Sequence, residues 1–155
     1  MRALKEICLG DLFYVACNLR AEEWDNVNAM LGNQTIDSYI LRCANAPGPK
    51  WVYADDRPWI AGGFVPQRPG VYQSWFLACL DAWSIIPLEV TQVAIERIAF
   101  MLDNGAHRVE TLCPASNKLA QRWYKTIGLK QEATLEAYCA DGTSAVIYAR
   151  TRGLH

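Results

Sequence analysis

The stretch from Asn117 to Leu129, NKLAQRWYKTIGL, constrains this chain more than any other. It spells a short helix. Ser116 or Asn117 caps its start, and Gly128 ends it in the left-handed conformation that glycine tolerates best. Leu119, Ala120, Trp123 and Ile127 recur at a spacing that puts them on one face. Asn117 opens the helix and Tyr124 stands two turns on, so a carboxamide and a phenol are held on one rigid element.

The rest of the chain reads as one mixed α+β domain spanning residues 1–155. A helix is predicted over 9–31, with Leu12, Val15, Ala16, Leu19, Trp24 and Val27 inward and Gly32 as its stop. A second runs from Thr35 to Ala44 and ends at Pro47-Gly48-Pro49. Three strands follow, Lys50 to Ala54, Trp59 to Val65 and Val71 to Ala78, separated by turns at 55–58 and 66–70. Pro87 opens a long helix to Asn104, since proline suits a first helical position. Arg108 to Cys113 is a strand, and the motif helix follows it. A hairpin closes the chain, Glu132 to Cys139 and Ser144 to Arg150, with its turn at Asp141-Gly142.

Composition narrows the classes of function. A hydrophobic share of 52% with six Trp and seven Tyr belongs to a chain that buries a core. The formal charge of −1 offers no footprint for nucleic acid or an anionic membrane. No apolar run reaches membrane-spanning length, and the start, with Arg2, Lys5, Glu6 and Asp11, lacks the apolar stretch of a signal peptide. A cytoplasmic location is expected. The cysteines (8, 17, 43, 79, 113 and 139) form no CxxC pair and have no His at ligand spacing, so no metal site is expected.

The pattern Asn-x-x-Ala-x-x-(apolar)-Tyr-x-x-x-Gly-(apolar), read at Asn117, Ala120, Trp123, Tyr124, Gly128 and Leu129 after a strand, resembles the GCN5-related N-acetyltransferases. The order helix, helix, three-strand meander, long helix, strand, helix, hairpin is similar to theirs. The aromatic-rich middle and the tail EATLEAYCADGTSAVIYART resemble small proteins of tailed phages, among them the internal virion protein family of short-tailed, T7-like phages. The resemblance implies a central, mostly antiparallel sheet with flanking helices, and acetyl-CoA as cofactor. The pantetheine would follow a splay between the fourth and fifth strands, on the backbone of Phe76, Leu77 and Ala78. Asn117 would position the cofactor and Tyr124 would be the general acid that protonates the leaving thiolate. The general base is open between Glu110 and Asp81.

One signature of that family is missing. The loop before the long helix carries Gln/Arg-x-x-Gly-x-Gly/Ala in the family, so that backbone can approach a pyrophosphate at a helix start. Here the corresponding stretch is Ile85 to Val90. Leu88 and Val90 place carbon where the glycines belong, Pro87 removes an amide, and Glu89 brings a negative charge. No Lys or Arg occurs between Pro69 and Glu96. Trp75, Phe76, Leu80, Trp83, Ile85 and Ile86 crowd the same region, either as core filling the cleft or as a patch for another protein. Two expectations follow. The first is a phage protein without ordinary acetyl-CoA use, acting through contacts with other phage or host proteins, or with a second copy of itself, in the host cytoplasm or the virion. The alternative is an active acetyl-CoA-dependent N-acetyltransferase with Tyr124 as acid.

Overall fold

The computed structural model describes residues 1–153. Its elements, in chain order, are β1 (Ala3–Lys5), α1 (Leu9–Cys17), α2 (Ala21–Leu31), α3 (Ile36–Asn45), β2 (Lys50–Ala54), β3 (Pro58–Arg68) and β4 (Val71–Ala78). They continue with α4 (Ala82–Ile85), α5 (Pro87–Asp103), β5 (Arg108–Pro114), α6 (Lys118–Thr126), β6 (Lys130–Leu135) and β7 (Ala145–Thr151). The strands form one sheet in the order β1-β2-β3-β4-β5-β7-β6. Every neighbouring pair is antiparallel except β4 with β5.

Local chemistry accounts for the helix starts. Thr35 accepts from the Ser38 amide at 3.1 Å while the Ser38 hydroxyl accepts from the Thr35 amide at 3.1 Å, a reciprocal cap for α3. Asp11 does the same for α1 by accepting from the Cys8 amide at 3.2 Å. Pro87 is the first residue of α5, where its missing amide is no loss. The core joins both halves: Leu12, Val15, Ile40, Ile60, Val90, Val109 and Tyr148 are all fully buried. The Tyr148 hydroxyl donates to Gln121 at 3.3 Å, and Gln121 donates in turn to the Ala115 carbonyl at 2.9 Å. That chain satisfies the polar groups the core takes in.

Three sequence expectations change. The helix expected over 9–31 is two helices. The Asn18 side chain donates to the Tyr14 carbonyl at 2.7 Å, Arg20 adopts an extended backbone, and the Leu80 amide takes the Asn18 carbonyl at 2.7 Å. The end of β4 thus turns the chain at a point where helical periodicity alone would have continued. The final hairpin is shorter on its first arm, with β6 stopping at Leu135. The residues beyond it leave the sheet because the amides of Ala140 and Asp141 bond to the Met30 and Ala29 carbonyls, capping the carboxyl end of α2. β3 in contrast runs into the expected turn at 66–70, ending at Arg68, with a bulge between Pro66 and Arg68 that admits the proline.

No helix among the described residues is long and apolar enough to cross a membrane. Among them, no three His, Cys, Asp or Glu side chains are grouped to hold a metal ion. Four of the six cysteines are buried and all six are free.

Candidate functional site

β4 and β5 run parallel for only three residue pairs, Val71 with Arg108, Tyr72 with Val109 and Gln73 with Glu110, and then diverge. Two hydroxyls mark the apex of the divergence. Ser74 donates to the Glu110 carbonyl at 3.4 Å, and Thr111 donates to the Ser74 carbonyl at 3.5 Å. Beyond that apex the β4 edge from Trp75 to Ala78 is paired with β3 alone. A cavity of about 340 Å³ lies in the gap, walled by β4, β5, α2, α5 and α6.

Four aromatic rings run in series along it. Trp51 lies 5.9 Å from Phe76, Phe76 lies 4.9 Å from Trp123, and Trp123 meets Trp83 edge-on at 5.3 Å. The Trp123 indole also reaches Thr91 on α5 at 3.5 Å. The series thus occupies the line from the strand gap to the start of α5. Contacts of this kind each contribute about 0.5–1.5 kcal/mol beyond burial.

Glu23, on α2, is the ionisable group most altered by this setting. Its carboxylate pairs with Arg20 at 3.2 Å and accepts from the Trp83 indole at 3.2 Å, while the Arg20 guanidinium lies 4.4 Å from the Trp83 ring. Burial dominates all the same and raises the Glu23 pKa to about 7, with Arg20 opposing. Glu23 and Tyr124 line the same cavity. Tyr124 is half-buried, and burial, with the neighbouring Cys113, pushes its phenol above the ordinary range.

The residues singled out from sequence divide by position. Phe76, Leu77, Asn117 and Tyr124 line the cavity; Ala78 is fully buried beside it. Both ends of the Asn117 carboxamide are used: its oxygen accepts from the Ala120 amide at 3.0 Å, and its nitrogen donates to Asn26 on α2 at 2.9 Å. Glu110 does not line the cavity and is paired with Arg108 at 2.9 Å. Asp81 is held by Arg57 through two hydrogen bonds, at 2.5 and 2.8 Å. Neither carboxylate is free to act as a base where the cavity is. Glu23 escaped the sequence reading because a continuous helix over 9–31 would leave it among solvated charges. The local signal was the Arg20-x-x-Glu23 pair beside Trp24.

The start of α5 also differs from the expectation. Val90 is fully buried in the core and does not project over the helix start, while Leu88 points to solvent. Glu89 is turned toward the sheet edge. Arg2, just before β1, grips it through two 2.8 Å hydrogen bonds, and the Tyr53 hydroxyl donates to it at 2.6 Å. These partners hold its pKa at about 2. Three amides before α5 are committed to the turn of α4: Ser84 and Ile85 donate to the Asp81 carbonyl, and Ile86 to that of Ala82. A pyrophosphate requires free amides and close backbone approach. The residues just before α5 supply a helical turn with the amides of 84–86 used and apolar side chains at Leu80 and Ile85 outside it. With Leu88 and Val90 at the positions of the family's glycines, this helix start departs from the family's pattern.

No protein-family profile matches the chain, and no curated protein matches it by sequence. Solved structures do match by shape. The acetyltransferase AAC(6')-Ib in complex with ribostamycin and coenzyme A superimposes with a TM-score of 0.74 at 17% identity, covering 97% of this chain and 93% of that one. The ribosomal-protein-alanine N-acetyltransferase from Brucella melitensis gives 0.71 at 11% identity, covering 97% and 99%. The fold is that of the GCN5-related N-acetyltransferases. A shared fold at this identity carries no function with it, so the chemistry of the GNAT fold in this chain has to be argued from its own site.

Proposed function

We propose that this chain uses the GNAT scaffold without ordinary acetyl-CoA chemistry and acts through protein contacts, as a virion-associated or assembly component of a phage. One observation supports the first half: the turn of α4 just before α5 keeps its amides internally bonded, and Phe76, Trp123 and Trp83 pack in series beside it. The contact role is supported by Leu80, Ile85 and Leu88, large apolar side chains left exposed around the start of α5. The phage setting rests on the resemblance of the aromatic middle and the C-terminal hairpin.

Two measurements test this. Millimolar acetyl-CoA is expected to leave the melting temperature unchanged, and a rise of several degrees would defeat the proposal because a ligand of the native state must stabilise it. Ile86 is buried, so charge is better introduced at Ile85 and Leu88. The variant Ile85→Glu with Leu88→Glu is expected to lose assembly while the monomer keeps its melting temperature. Unfolding of the monomer would place both residues in the core instead.

The second reading, an active N-acetyltransferase, is favoured by a separate observation: Glu23 and Tyr124 face one cavity, the first with a pKa of about 7. Glu23 can then accept a proton from an amine near neutrality, and Tyr124 stays protonated as a donor. On this reading turnover rises with pH through about 7, and Tyr124→Phe lowers kcat with little change in KM. A variant that keeps full turnover removes Tyr124 from the chemistry.

A further inference from the structure

α6 carries a line of cations. Lys118, Arg122 and Lys125 recur at the four- and three-residue steps that stack side chains on one helix face, and Lys130 follows at the start of β6. The opposite side of α6 packs Ala120, Trp123 and Tyr124 against the core, and all four cations are exposed. No Asp or Glu occurs between Glu110 and Glu132. None of the four cations enters an ion pair among the described residues.

This line does not serve the helix itself. Lys118 is the first residue of α6, where the macrodipole opposes a cation. Lys118 with Arg122, and Arg122 with Lys125, are like-charge neighbours of the kind that destabilises an isolated helix. Only Lys125 sits at the end the dipole favours. A surface helix kept for solubility alone mixes both signs. Cations of one sign in a row call for a partner of the other.

The complement lies on the same chain. Glu22 and Asp25 on α2 and Asp141 in the turn before β7 line a groove of about 260 Å³ with Ser116 and Asn117. No Lys or Arg lines it, and none occurs over 21–41 or 131–149. The three carboxylates are exposed, and none is paired with a cation among the described residues. Asn117 both lines the groove and caps α6, so the groove ends where the cations begin.

Two patches of opposite sign side by side are self-complementary. A two-fold axis between them brings the α6 of each copy onto the groove of the other, so every contact is made twice. Leu119, exposed on the flank of α6, adds apolar area to the charges. Nucleic acid fits less well. To cover the cations it would approach the adjoining carboxylates, which repel it over a screening length of ~8–10 Å.

We propose that two copies of this chain associate about a two-fold axis, the cations of α6 in each lying along the acidic groove of the other. The contact does not use Leu80, Ile85 or Leu88 and assumes nothing about acetyl-CoA, so its failure leaves the function proposed above where it was.

Sedimentation of the full chain at tens of micromolar tests this. A dimer is expected at about 50 mM salt, and about 0.5 M salt is expected to weaken it tenfold or more, since exposed charges are screened. Arg122→Glu with Lys125→Glu makes α6 acidic, and Glu22→Lys with Asp25→Lys makes the groove basic. Each double variant is expected to be a monomer with the melting temperature of the parent. Mixed in equal amounts they are expected to dimerise, because acidic α6 then meets basic groove and the unaltered pair meets as before. A parent that is monomeric at low salt, a double variant that dimerises alone, or a mixture that stays monomeric overturns the proposal. If a charge-reversed variant fails to fold, Arg122→Gln with Lys125→Gln replaces it, and an undiminished dimer there has the same force. A single-stranded oligonucleotide that binds a monomeric parent would assign the cations to nucleic acid instead.

Discussion

Gly48→Ala is expected to lose at least about 3 kcal/mol of stability or to fail to fold. Gly48 links α3 to β2 at a φ of +95°, where a side chain is strained in any surroundings. The surroundings add a collision. A Cβ there would strike the carbonyl oxygen of Phe64 and lie 2.9 Å from the Pro66 ring. Phe64 cannot yield easily, because its amide bonds to the Pro49 carbonyl at 3.0 Å and its neighbours are paired within β3 and β4. Gly105→Ala is the control. Its φ is +109°, yet nothing lies within 4 Å of the added carbon. That variant should lose only about 1–2 kcal/mol, the left-handed term alone. Denaturant melts of the two variants measure the difference. Equal losses would mean that the chain between α3 and β2 moves aside.

The second large effect is an unusual pH profile. The Glu23 carboxyl titrates near 4.5 when unfolded and at about 7 in the fold, raised chiefly by burial. The native state therefore binds the extra proton between those values, and stability falls as pH rises through that window. At 1.36 kcal/mol per pH unit the loss reaches up to about 3 kcal/mol and levels off above pH 7. Three other acids act in the opposite sense. Glu89, Asp81 and Glu132 are depressed by Arg2, Arg57 and Arg108 respectively, so their contribution is present above the unfolded pKa and disappears on acidification. Stability should peak near pH 4.5–5, at the acid edge of the usual range. Glu23→Gln should abolish the decline between about pH 4.5 and 7 while keeping the acid limb. A variant that retains the decline would assign it to another group.

Much of the scaffold was legible in the chain. Gly128 has a φ of +93° at the end of α6, and Asn117 caps its start, as the residues from Asn117 to Leu129 spell out. The strand and turn order follows from short β-prone runs between prolines and glycines. Such signals work because a cap, a turn and an amphipathic period are settled within a few residues of backbone.

The site was legible only in part. Tyr124 and Asn117 could be placed on one helix, but not what faces them. The partner of Asn117 is Asn26, 91 residues away, and the partner of Glu89 is Arg2, 87 residues away. No local rule connects them. The sequence showed a missing glycine loop, whereas only the fold showed that α4 uses the loop amides and that Glu89 is turned aside. The break between α1 and α2 was likewise decided by the end of β4, and it carried Glu23 from an expected surface to the cavity wall. Local sequence therefore determined which segments are helix, strand and turn. Tertiary packing decided which charges are buried and which route through the sheet is filled, because desolvation and contact depend on neighbours distant along the chain.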